Sequence, residues 1–390
     1  MYNKTAYALG ANSCAIREIS EYGAKRAAVI GKENILDFTI GNPSLPTPKE
    51  VTDTVRELLA QDPLAVHSYT PAVGEYATRK AIADDLNARF GTAVTADELF
   101  IGCGASPELA AVFQALCFPG AEIIALAPFF MEYRPFVESA GAKFVVVPPD
   151  IPDFQINLEA VEAAITENTA AIIVNSPNNP AGTVYTEETL VALGDLLERK
   201  AKQYDHPIYI VSDDPYRELV YDGAEAPFIP TLYRDTIVCY SYSKSLSLPG
   251  ERIGYIYIPK AAADGEALYT AVAGAARAIG HICAPSIWQK VIAKCAHLRP
   301  DLTMYDRNRK ALLEGLTQAG YTVAKPDGAF YLFVKAPGGD SKAFAQKAME
   351  KDLLIVPGDD FGCPEYFRLC YCVPFEKIES ALPIFQGLLK

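Results

Sequence analysis

The sequence predicts an α/β protein with a mostly parallel, seven-stranded sheet flanked by helices, and with a smaller α+β domain. Three observations support this fold class. Between about residue 97 and residue 258, short apolar runs rich in Ile, Val, Ala and Tyr alternate with longer helical patterns, as in parallel sheets covered on both faces. The chain has 390 residues, which is enough for a core split over two domains. After about Pro285 the alternation stops, and this change predicts the smaller domain.

The elements can be placed in chain order. A helix is predicted first, because Thr47-Pro48-Lys49-Glu50 combines an N-cap residue, a proline at the first helical position and a capping-box glutamate. The apolar runs of the large sheet are 98–101, 122–126, 143–147, 170–174, 208–212, 237–240 and 253–257. Beyond Pro285 a long helical stretch ends near Gly320, and the apolar runs 328–334 and 365–372 follow. We therefore predict a large domain over 47–285 and a smaller domain that contains 286–390.

Composition and charge exclude several classes of protein. Half of the residues are hydrophobic, which excludes a disordered chain. No apolar run approaches the roughly 18 residues of a membrane span, and the first residues lack the apolar core of a signal peptide. We expect a soluble, cytoplasmic protein that does not bind membranes. The formal net charge of -13 disfavours nucleic acid as a partner, so a small anionic ligand would need a local cationic pocket.

The cysteines predict neither a disulfide framework nor a metal site. There are nine, an odd number, and most lie inside apolar runs where a free thiol packs as a small hydrophobe. Their positions are 14, 103, 117, 239, 283, 295, 363, 370 and 372. The close pair Cys370-Tyr371-Cys372 has no histidine or second pair nearby, as a zinc or iron–sulfur site would require.

Lys244 lies in a sequence context that suits a nucleophile. It ends the run Ser241-Tyr242-Ser243-Lys244, directly after the predicted strand 237–240, and Arg252 lies eight residues further on. Burial and neighbouring cations lower the pKa of a lysine and make its amine reactive. The guanidinium of Arg252 and the hydroxyl of Ser241 would suit a dianionic phosphate group. The alternative is a surface lysine in a polar loop.

The stretch from Ser241 to Gly254 resembles the cofactor-attachment motif of class I aminotransferases of the aspartate aminotransferase fold, which are fold-type I pyridoxal phosphate enzymes. The resemblance continues in order from Gly41 to Arg368. It implies that Lys244 forms an imine with pyridoxal 5'-phosphate, and that Ser241 and Arg252 hold the phosphate. It also implies that the first 46 residues join 286–390 in the small domain.

Polar residues that follow the predicted strands fit the same cofactor. The ring nitrogen must stay protonated if the cofactor is to accept electrons, and Asp213 can supply the carboxylate that this requires. By resemblance, Asn179 and Tyr216 donate hydrogen bonds to the phenolate oxygen. In the family pattern Asn-Pro-x-Asn-Pro-Thr-Gly, Ser176 replaces the first asparagine and Ala181 replaces the threonine, but Asn179 is intact.

The segment from Gly102 to Glu108 has the features of a phosphate-binding helix start. Small residues let backbone amides approach an anion, and a helix that begins near Pro107 would point its positive end at it. By resemblance, Gly104, Ala105 and Ser106 contact the phosphate. The spacing of a dinucleotide-binding loop and the lysine of a nucleotide triphosphate loop are both missing.

Two aromatic residues are assigned by resemblance as well. Phe130 follows a predicted strand, as does the aromatic segment that covers the pyridine ring in this family. Tyr69 resembles the tyrosine that reaches the phosphate of the neighbouring subunit. That resemblance implies a homodimer with shared active sites.

Arg368 is the predicted clamp for the substrate carboxylate. A bidentate arginine is a strong and geometrically fixed partner for a carboxylate, and Arg368 matches the family's carboxylate arginine. Gly41 resembles the backbone position that touches the same group, and Asn179 is included with them as substrate-binding. A solvated strand arginine is the alternative.

These residues together predict an aminotransferase that moves an amino group between an L-amino acid and a 2-oxo acid by a ping-pong mechanism. Lys244, Asp213 and Tyr216 are the predicted catalytic residues, and Lys244 carries the proton between the substrate Cα and the cofactor. A β-lyase or decarboxylase on the same fold is the nearest alternative. A regulator that senses the cofactor is a further one, but the segment before Gly41 is too short for the DNA-binding domain that such proteins carry.

Overall fold

The structure is a computed structural model that describes residues 1–11 and 15–389, so Cys14 lies outside the described residues. The helices are α1 Lys4–Ala11, α2 Ala15–Ile30, α3 Lys49–Leu59, α4 Pro63–His67, α5 Tyr76–Phe90, α6 Ala105–Leu116, α7 Tyr133–Ser139, α8 Leu158–Ala164, α9 Glu187–Tyr204, α10 Tyr242–Ser245, α11 Gly265–Ala278, α12 Ser286–Cys295, α13 Thr303–Ala319, α14 Ser341–Met349 and α15 Phe375–Leu388. The strands are β1 Leu36–Asp37, β2 Leu99–Gly102, β3 Glu122–Leu126, β4 Lys143–Val147, β5 Thr169–Val174, β6 Tyr209–Asp213, β7 Thr236–Ser241, β8 Gly254–Tyr257, β9 Tyr331–Lys335, β10 Leu353–Leu354, β11 Val356–Pro357 and β12 Tyr366–Cys370.

The predicted large sheet is confirmed. Its seven strands have the order β2-β8-β7-β6-β5-β3-β4, and their ends differ from the predicted apolar runs by no more than one residue. The neighbours from β7 to β4 are parallel, whereas β8 runs antiparallel to both β2 and β7. Because β5, β6 and β7 are adjacent and parallel, the residues that follow them meet at one edge of the sheet.

Both faces of this sheet are covered, which explains why its strands are apolar at successive positions. Ile123 and Ala125 pack into a core shared with α6, α7 and α11, whereas Ile124 and Leu126 pack on the other face with α8 and α9. Successive side chains of a strand point to opposite faces. Each fully buried aliphatic side chain contributes about 1.5–3 kcal/mol relative to exposure. The continuous apolar runs therefore hold two layers of helices.

A second core lies around the antiparallel sheet β11-β12-β9 and the helices α13, α14 and α15. The strand β1 pairs with β10, so the N-terminal segment reaches the C-terminal part of the chain. The helix α12 instead shares a core with α3 and α5, which pack against the large sheet. The division into 47–285 and 1–46 plus 286–390 stays a prediction, and the packing of α12 favours a boundary after this helix.

Two predicted helix starts are wrong in detail. The helix α3 begins at Lys49 with Pro48 as its N-cap residue, and no side chain caps it. The hydroxyl of Thr47 instead donates to the carbonyl oxygen of Ser247 at 3.2 Å, so it is used in a tertiary contact. The helix α6 begins at Ala105, two residues before Pro107, because proline is tolerated in the first turn where its missing N–H is not needed.

The structure also bears on the membrane and the thiols. Within residues 1–11 and 15–389, no helix combines the length and the apolar character needed to cross a membrane. The eight described cysteines are free thiols.

Substitution of Gly254 tests how closely β8 packs against the neighbouring strands. A methyl group at this position would collide with the backbone carbonyl oxygen of Tyr240, which cannot rotate away. We expect Gly254→Ala to lower the free energy of unfolding by about 1–3 kcal/mol, the usual cost of overpacking. Urea-induced unfolding of both proteins measures this difference.

The matched control is Gly250→Ala, because a methyl group there meets no atom within 4 Å. Equal stability losses in the two variants would show that the close contact at β8 does not matter.

Candidate active site

The carboxyl ends of β5, β6 and β7 open into a cavity of about 320 Å³. Most of the predicted site residues line it: Gly41, Ala105, Ser106, Phe130, Asn179, Asp213, Tyr216, Ser241, Lys244, Arg252 and Arg368. These residues come from the seven-stranded sheet and its connections, from the antiparallel sheet that contains β12, and from the segment before α3. The structure therefore brings these residues together, and their roles stay predictions.

Lys244 projects into this cavity from α10, the short helix that follows β7. The Ser241 hydroxyl caps α10 by accepting a hydrogen bond from the Ser243 amide, which fixes the turn after the strand. The Lys244 amine donates a 2.7 Å hydrogen bond to the carbonyl oxygen of Gly41 and lies 5.3 Å from the centre of the Phe330 ring. Burial lowers the pKa of Lys244, which increases the fraction of neutral, nucleophilic amine.

Asp213 ends β6 and offers one free carboxylate oxygen to the cavity. Its Oδ2 accepts a 2.5 Å hydrogen bond from the Tyr133 hydroxyl, whereas Oδ1 is buried and has no hydrogen-bond partner in the described part of the chain. Burial raises the pKa of Asp213 to about 7, while the bond from Tyr133 opposes this rise. A protonated ring nitrogen of pyridoxal phosphate is a cationic donor that fits this unpaired oxygen.

The part of the cavity next to the N-terminus of α6 suits a phosphate. Gly104 is the N-cap residue of α6 with φ of 87°, and a Cβ atom there would lie 2.8 Å from the Arg252 guanidinium. Only glycine fits this approach. Arg252 also donates to the Ser243 hydroxyl at 3.4 Å, and that hydroxyl lies 2.8 Å from the Ser241 hydroxyl. A helix N-terminus, two hydroxyls and a guanidinium are the groups that a phosphate requires.

Arg368 lies on β12 and is 2% exposed. Its guanidinium donates to Asn179 Oδ1 at 2.8 Å and to the carbonyl oxygen of Thr39 at 2.6 Å, while its Nε is buried without a partner. Both acceptors are neutral, and none of the ion pairs found among the described residues includes Arg368. A buried cation without an anion is costly, so the site favours binding of a carboxylate.

The remaining predicted residues lie at different distances from this centre. Tyr216 bonds through its hydroxyl to that of Tyr331 at 2.9 Å, and Phe130 packs edge-on against Tyr133 with ring centres 5.6 Å apart. Tyr69 does not line the cavity and is 88% exposed. Its predicted role in a neighbouring subunit stays a prediction.

Sequence reasoning missed Tyr133, Ser243, Tyr331 and Thr39. Tyr133 follows Phe130 by three residues, and Ser243 stands beside Lys244, so both were inside motifs that had already been singled out. The position of Tyr331 on β9 depends on how the two sheets pack, which leaves no local signal.

A fold with a buried lysine, an unpaired buried carboxylate and a phosphate-type turn at one sheet edge defines a pyridoxal phosphate enzyme. Comparison with known proteins agrees, because the family model for aminotransferases of class I and II matches residues 33–384. A solved amino transferase from Eubacterium rectale is 52% identical with a TM-score of 0.97, over 100% of this chain and 98% of that one.

Two sequence relatives are more distant. The aspartate/prephenate aminotransferase of Thermus thermophilus is 32% identical over 361 residues, which are 91% of this chain and 91% of that protein. Aromatic-amino-acid aminotransferase 2 of Thermococcus litoralis is 29% identical over 92% of this chain and 93% of that protein. The chain belongs to the class I and II aminotransferases and is a pyridoxal phosphate-dependent enzyme of the aspartate aminotransferase fold.

The raised pKa of Asp213 predicts a pH-dependent stability of the protein without cofactor. Because the folded-state pKa of about 7 lies above the ordinary value of 3.8, the folded state holds a proton that the unfolded state releases. The contribution of this proton to stability is full below about pH 4 and is lost as the pH rises through about 7. Asn cannot titrate, so the stability of Asp213→Asn relative to wild type should rise over this range.

The measurement is urea-induced unfolding of both apoproteins between pH 4.5 and 8, with the exposed Asp153→Asn as the matched control. A difference between Asp213→Asn and wild type that stays constant with pH would contradict the buried titration.

Proposed function

We propose that three groups of residues around the cavity take part in transamination. One group attaches the cofactor and holds its phosphate, one contacts the cofactor ring, and one binds the substrate carboxylate. Lys244 is the point of covalent attachment for pyridoxal phosphate. Ser241, Ser243, Arg252 and the N-terminus of α6 hold its phosphate. The single observation that carries this proposal is the position of the buried Lys244 amine in a cavity that also contains the unpaired Asp213 oxygen and the unpaired Arg368 nitrogen.

The residues around the ring keep it in the reactive state. The bound cofactor supplies an electron sink that makes the proton on the substrate Cα acidic. Asp213 holds the proton on the ring nitrogen, and Tyr133 orients Asp213 through its hydrogen bond to Oδ2. Asn179 and Tyr216 would donate hydrogen bonds to the ring oxygen, and Phe130, which also lines the cavity, would cover the ring.

Lys244 then acts as the base and acid of the reaction. With its amine free, Lys244 would remove the proton from the substrate Cα and would return it on the cofactor side. Its lowered pKa supports this role, because a general base must be neutral at working pH. Its bond to the Gly41 carbonyl oxygen keeps the amine at the substrate end of the cavity.

Arg368 holds the substrate carboxylate at that end. The substrate would supply the anion that the buried guanidinium lacks, and it would satisfy the unpaired Nε. This role is the same for every α-amino acid and for every 2-oxo acid, since each carries the carboxylate. The relatives act on aspartate, prephenate and aromatic amino acids by their names, which supports a shared carboxylate clamp with a variable side-chain pocket.

We further propose a cytoplasmic homodimer. The helix α1 has no buried residue and exposes Tyr7 and Leu9, and the exposed Tyr69 and Ile282 add further apolar surface. A second copy that covers these side chains would remove them from water. The free thiols are typical of a reducing compartment.

The attachment role predicts that Lys244→Ala loses both the reducible lysine–cofactor linkage and turnover, because no other cavity residue is a lysine among those described. Borohydride reduction of the holoenzyme, followed by peptide mass spectrometry, measures the linkage. A cofactor-modified peptide that lacks Lys244 would remove this residue from its role. The exposed Lys260→Ala is the control that should keep both properties.

The clamp role predicts that Arg368→Ala loses about 2–5 kcal/mol of transition-state binding for every amino donor alike, because a buried carboxylate is left without its partner. Arg368→Lys should recover only part of this loss, since an ammonium cannot make two parallel hydrogen bonds. The measurement is kcat/KM for an acidic and an aromatic donor, each with 2-oxoglutarate and with pyruvate as acceptor.

Wild-type transamination with some donor and acceptor in this set is the test of the function itself. A loss in Arg368→Ala that is confined to one donor would make Arg368 a side-chain selector. No loss for either donor would make it a structural residue of β12.

A further inference from the structure

Two cysteine thiols face each other behind the substrate end of the cavity. The sulfur atoms of Cys370 and Cys372 lie 2.7 Å apart, and both residues are buried. Arg368 and Cys370 lie on one face of β12, and Cys372, two residues past the end of this strand, places its sulfur against that of Cys370. Tyr371 points to the other face, where its hydroxyl donates to the carbonyl oxygen of Ala329.

The backbone around this pair is held in place from several directions. Cys370 ends β12 and donates its amide to the carbonyl oxygen of Phe38. The side chain of Asn308 donates to the carbonyl oxygens of Tyr371 and Val373, at 3.0 and 2.7 Å. The peptide groups on both sides of Cys372 are therefore fixed by a buried amide. These contacts from the segment before α3 and from α13 keep the two thiols together.

The thiol of Cys372 contacts a residue that lines the cavity. The thiol of Cys372 contacts the carbonyl oxygen of Ile40 at 3.9 Å, and both Ile40 and Gly41 line the cavity. The Gly41 carbonyl oxygen accepts the hydrogen bond of Lys244. The charges of both cysteines raise the pKa of Lys244, against the larger effect of burial. The state of the two sulfurs therefore acts on the proton affinity of this lysine.

The two thiols differ in chemical character. Burial alone would raise the pKa of Cys370, but the hydrogen bond from Cys372 and the positive charges of Arg368 and Lys244 bring it below its usual value. Burial and the neighbouring Cys370 raise the pKa of Cys372. Two sulfur atoms in contact, one with a lower pKa than the other, are the combination in which one sulfur is oxidised and the other resolves the product.

We propose that Cys370 and Cys372 form a peroxide-sensitive modification site, where hydrogen peroxide converts the two thiols into an intramolecular disulfide beside Lys244. The Cys370 sulfur attacks one peroxide oxygen and breaks the O–O bond, which gives a sulfenic acid and one water. The Cys372 sulfur then displaces the hydroxyl group as a second water and forms the S–S bond. In total, the two thiols lose two electrons and two protons, and one peroxide is reduced to two waters.

Burial selects a small oxidant. Cys370 is fully buried and Cys372 is 6% exposed, so a tripeptide disulfide such as oxidised glutathione cannot bring its sulfur to either thiol. Hydrogen peroxide is close to water in size, and Ile40, whose carbonyl oxygen contacts the Cys372 thiol, lines the cavity. The site is therefore expected to respond to peroxide and to resist glutathione disulfide.

The consequence for the enzyme rests on the proposed attachment of the cofactor to Lys244. A disulfide cannot ionise, so its formation removes the effect by which the two sulfurs raise the pKa of Lys244. We expect the protonated lysine–cofactor linkage to lose its proton at lower pH than in the reduced enzyme. The visible spectrum of the linkage changes with its protonation, so a pH titration of absorbance reports this shift.

The experiment treats the holoenzyme with hydrogen peroxide or with glutathione disulfide, with and without later dithiothreitol. Peptide mass spectrometry of the segment that contains both cysteines gives the state of the sulfurs, and the spectral titration gives the effect on Lys244. In wild type we expect a disulfide and a spectral shift with peroxide, both reversed by dithiothreitol. Cys370→Ser should show the shifted titration without oxidant, because a serine hydroxyl does not ionise as the Cys370 thiol can.

Cys372→Ser and Cys370→Ala are two further variants. They allow the same measurements if Cys370→Ser does not fold. The control is Cys117→Ser at the C-terminal end of α6, which should respond to peroxide as wild type does. Two separately oxidised or unreacted cysteines in wild type would overturn the proposed site. A disulfide without a spectral shift would overturn its coupling to Lys244. If the holoenzyme shows no lysine linkage at all, the proposed function fails, while the mass measurement still decides whether the disulfide forms.

Discussion

The hydrogen bonds of Arg368 to Asn179 and to the Thr39 carbonyl oxygen join three distant parts of the chain at the cavity. Asn179 follows β5 of the large sheet, Arg368 lies on the antiparallel sheet, and Thr39 precedes α3. None of these segments could hold a buried guanidinium alone, because each supplies at most one acceptor. The contact joins the two sheets at the cavity into which Lys244 projects.

The charge of the chain and the charge of the cavity have opposite signs. The chain carries a formal net charge of -13, yet Lys244, Arg252 and Arg368 converge on one cavity of about 320 Å³. A cofactor phosphate and a substrate carboxylate are the anions that would balance them, one at each end. Between these ends, the buried oxygen of Asp213 needs a cationic donor instead. The site is therefore built for a ligand that is anionic at both ends and cationic in its ring.

Much of this site could be predicted from sequence because of one geometric rule. Parallel strands place their carboxyl ends at one edge of a sheet. The polar residues after β5, β6 and β7 therefore lie close together, whatever the path of the helices that connect these strands. That rule brings Asp213 and Lys244 together, whereas the family resemblance singled out Asn179 among the residues after β5. Arg368 lies outside the rule, since it comes from another sheet, and only the family resemblance assigned it.

The residues that sequence reasoning missed share a different property. Tyr133 reaches Asp213 from α7, and Tyr331 reaches Tyr216 from β9, so each contact depends on the packing of two elements and on side-chain rotamers. The failed cap at Thr47 has the same origin, because its hydroxyl bonds to Ser247 rather than to its own helix. The pairing of Cys370 with Cys372 also required the structure, as the sequence shows only that they are close.

The most direct test of the account is a single-turnover reaction of the holoenzyme with one L-amino donor and no oxo acid acceptor, in which oxo acid and ammonia are both quantified. An aminotransferase keeps the amino group on its cofactor. The account therefore predicts one equivalent of 2-oxo acid per subunit, no ammonia, and a second equivalent only after an acceptor is added. Continuous release of oxo acid together with ammonia would contradict it, because the amino group would then leave the enzyme and the chain would act as a lyase.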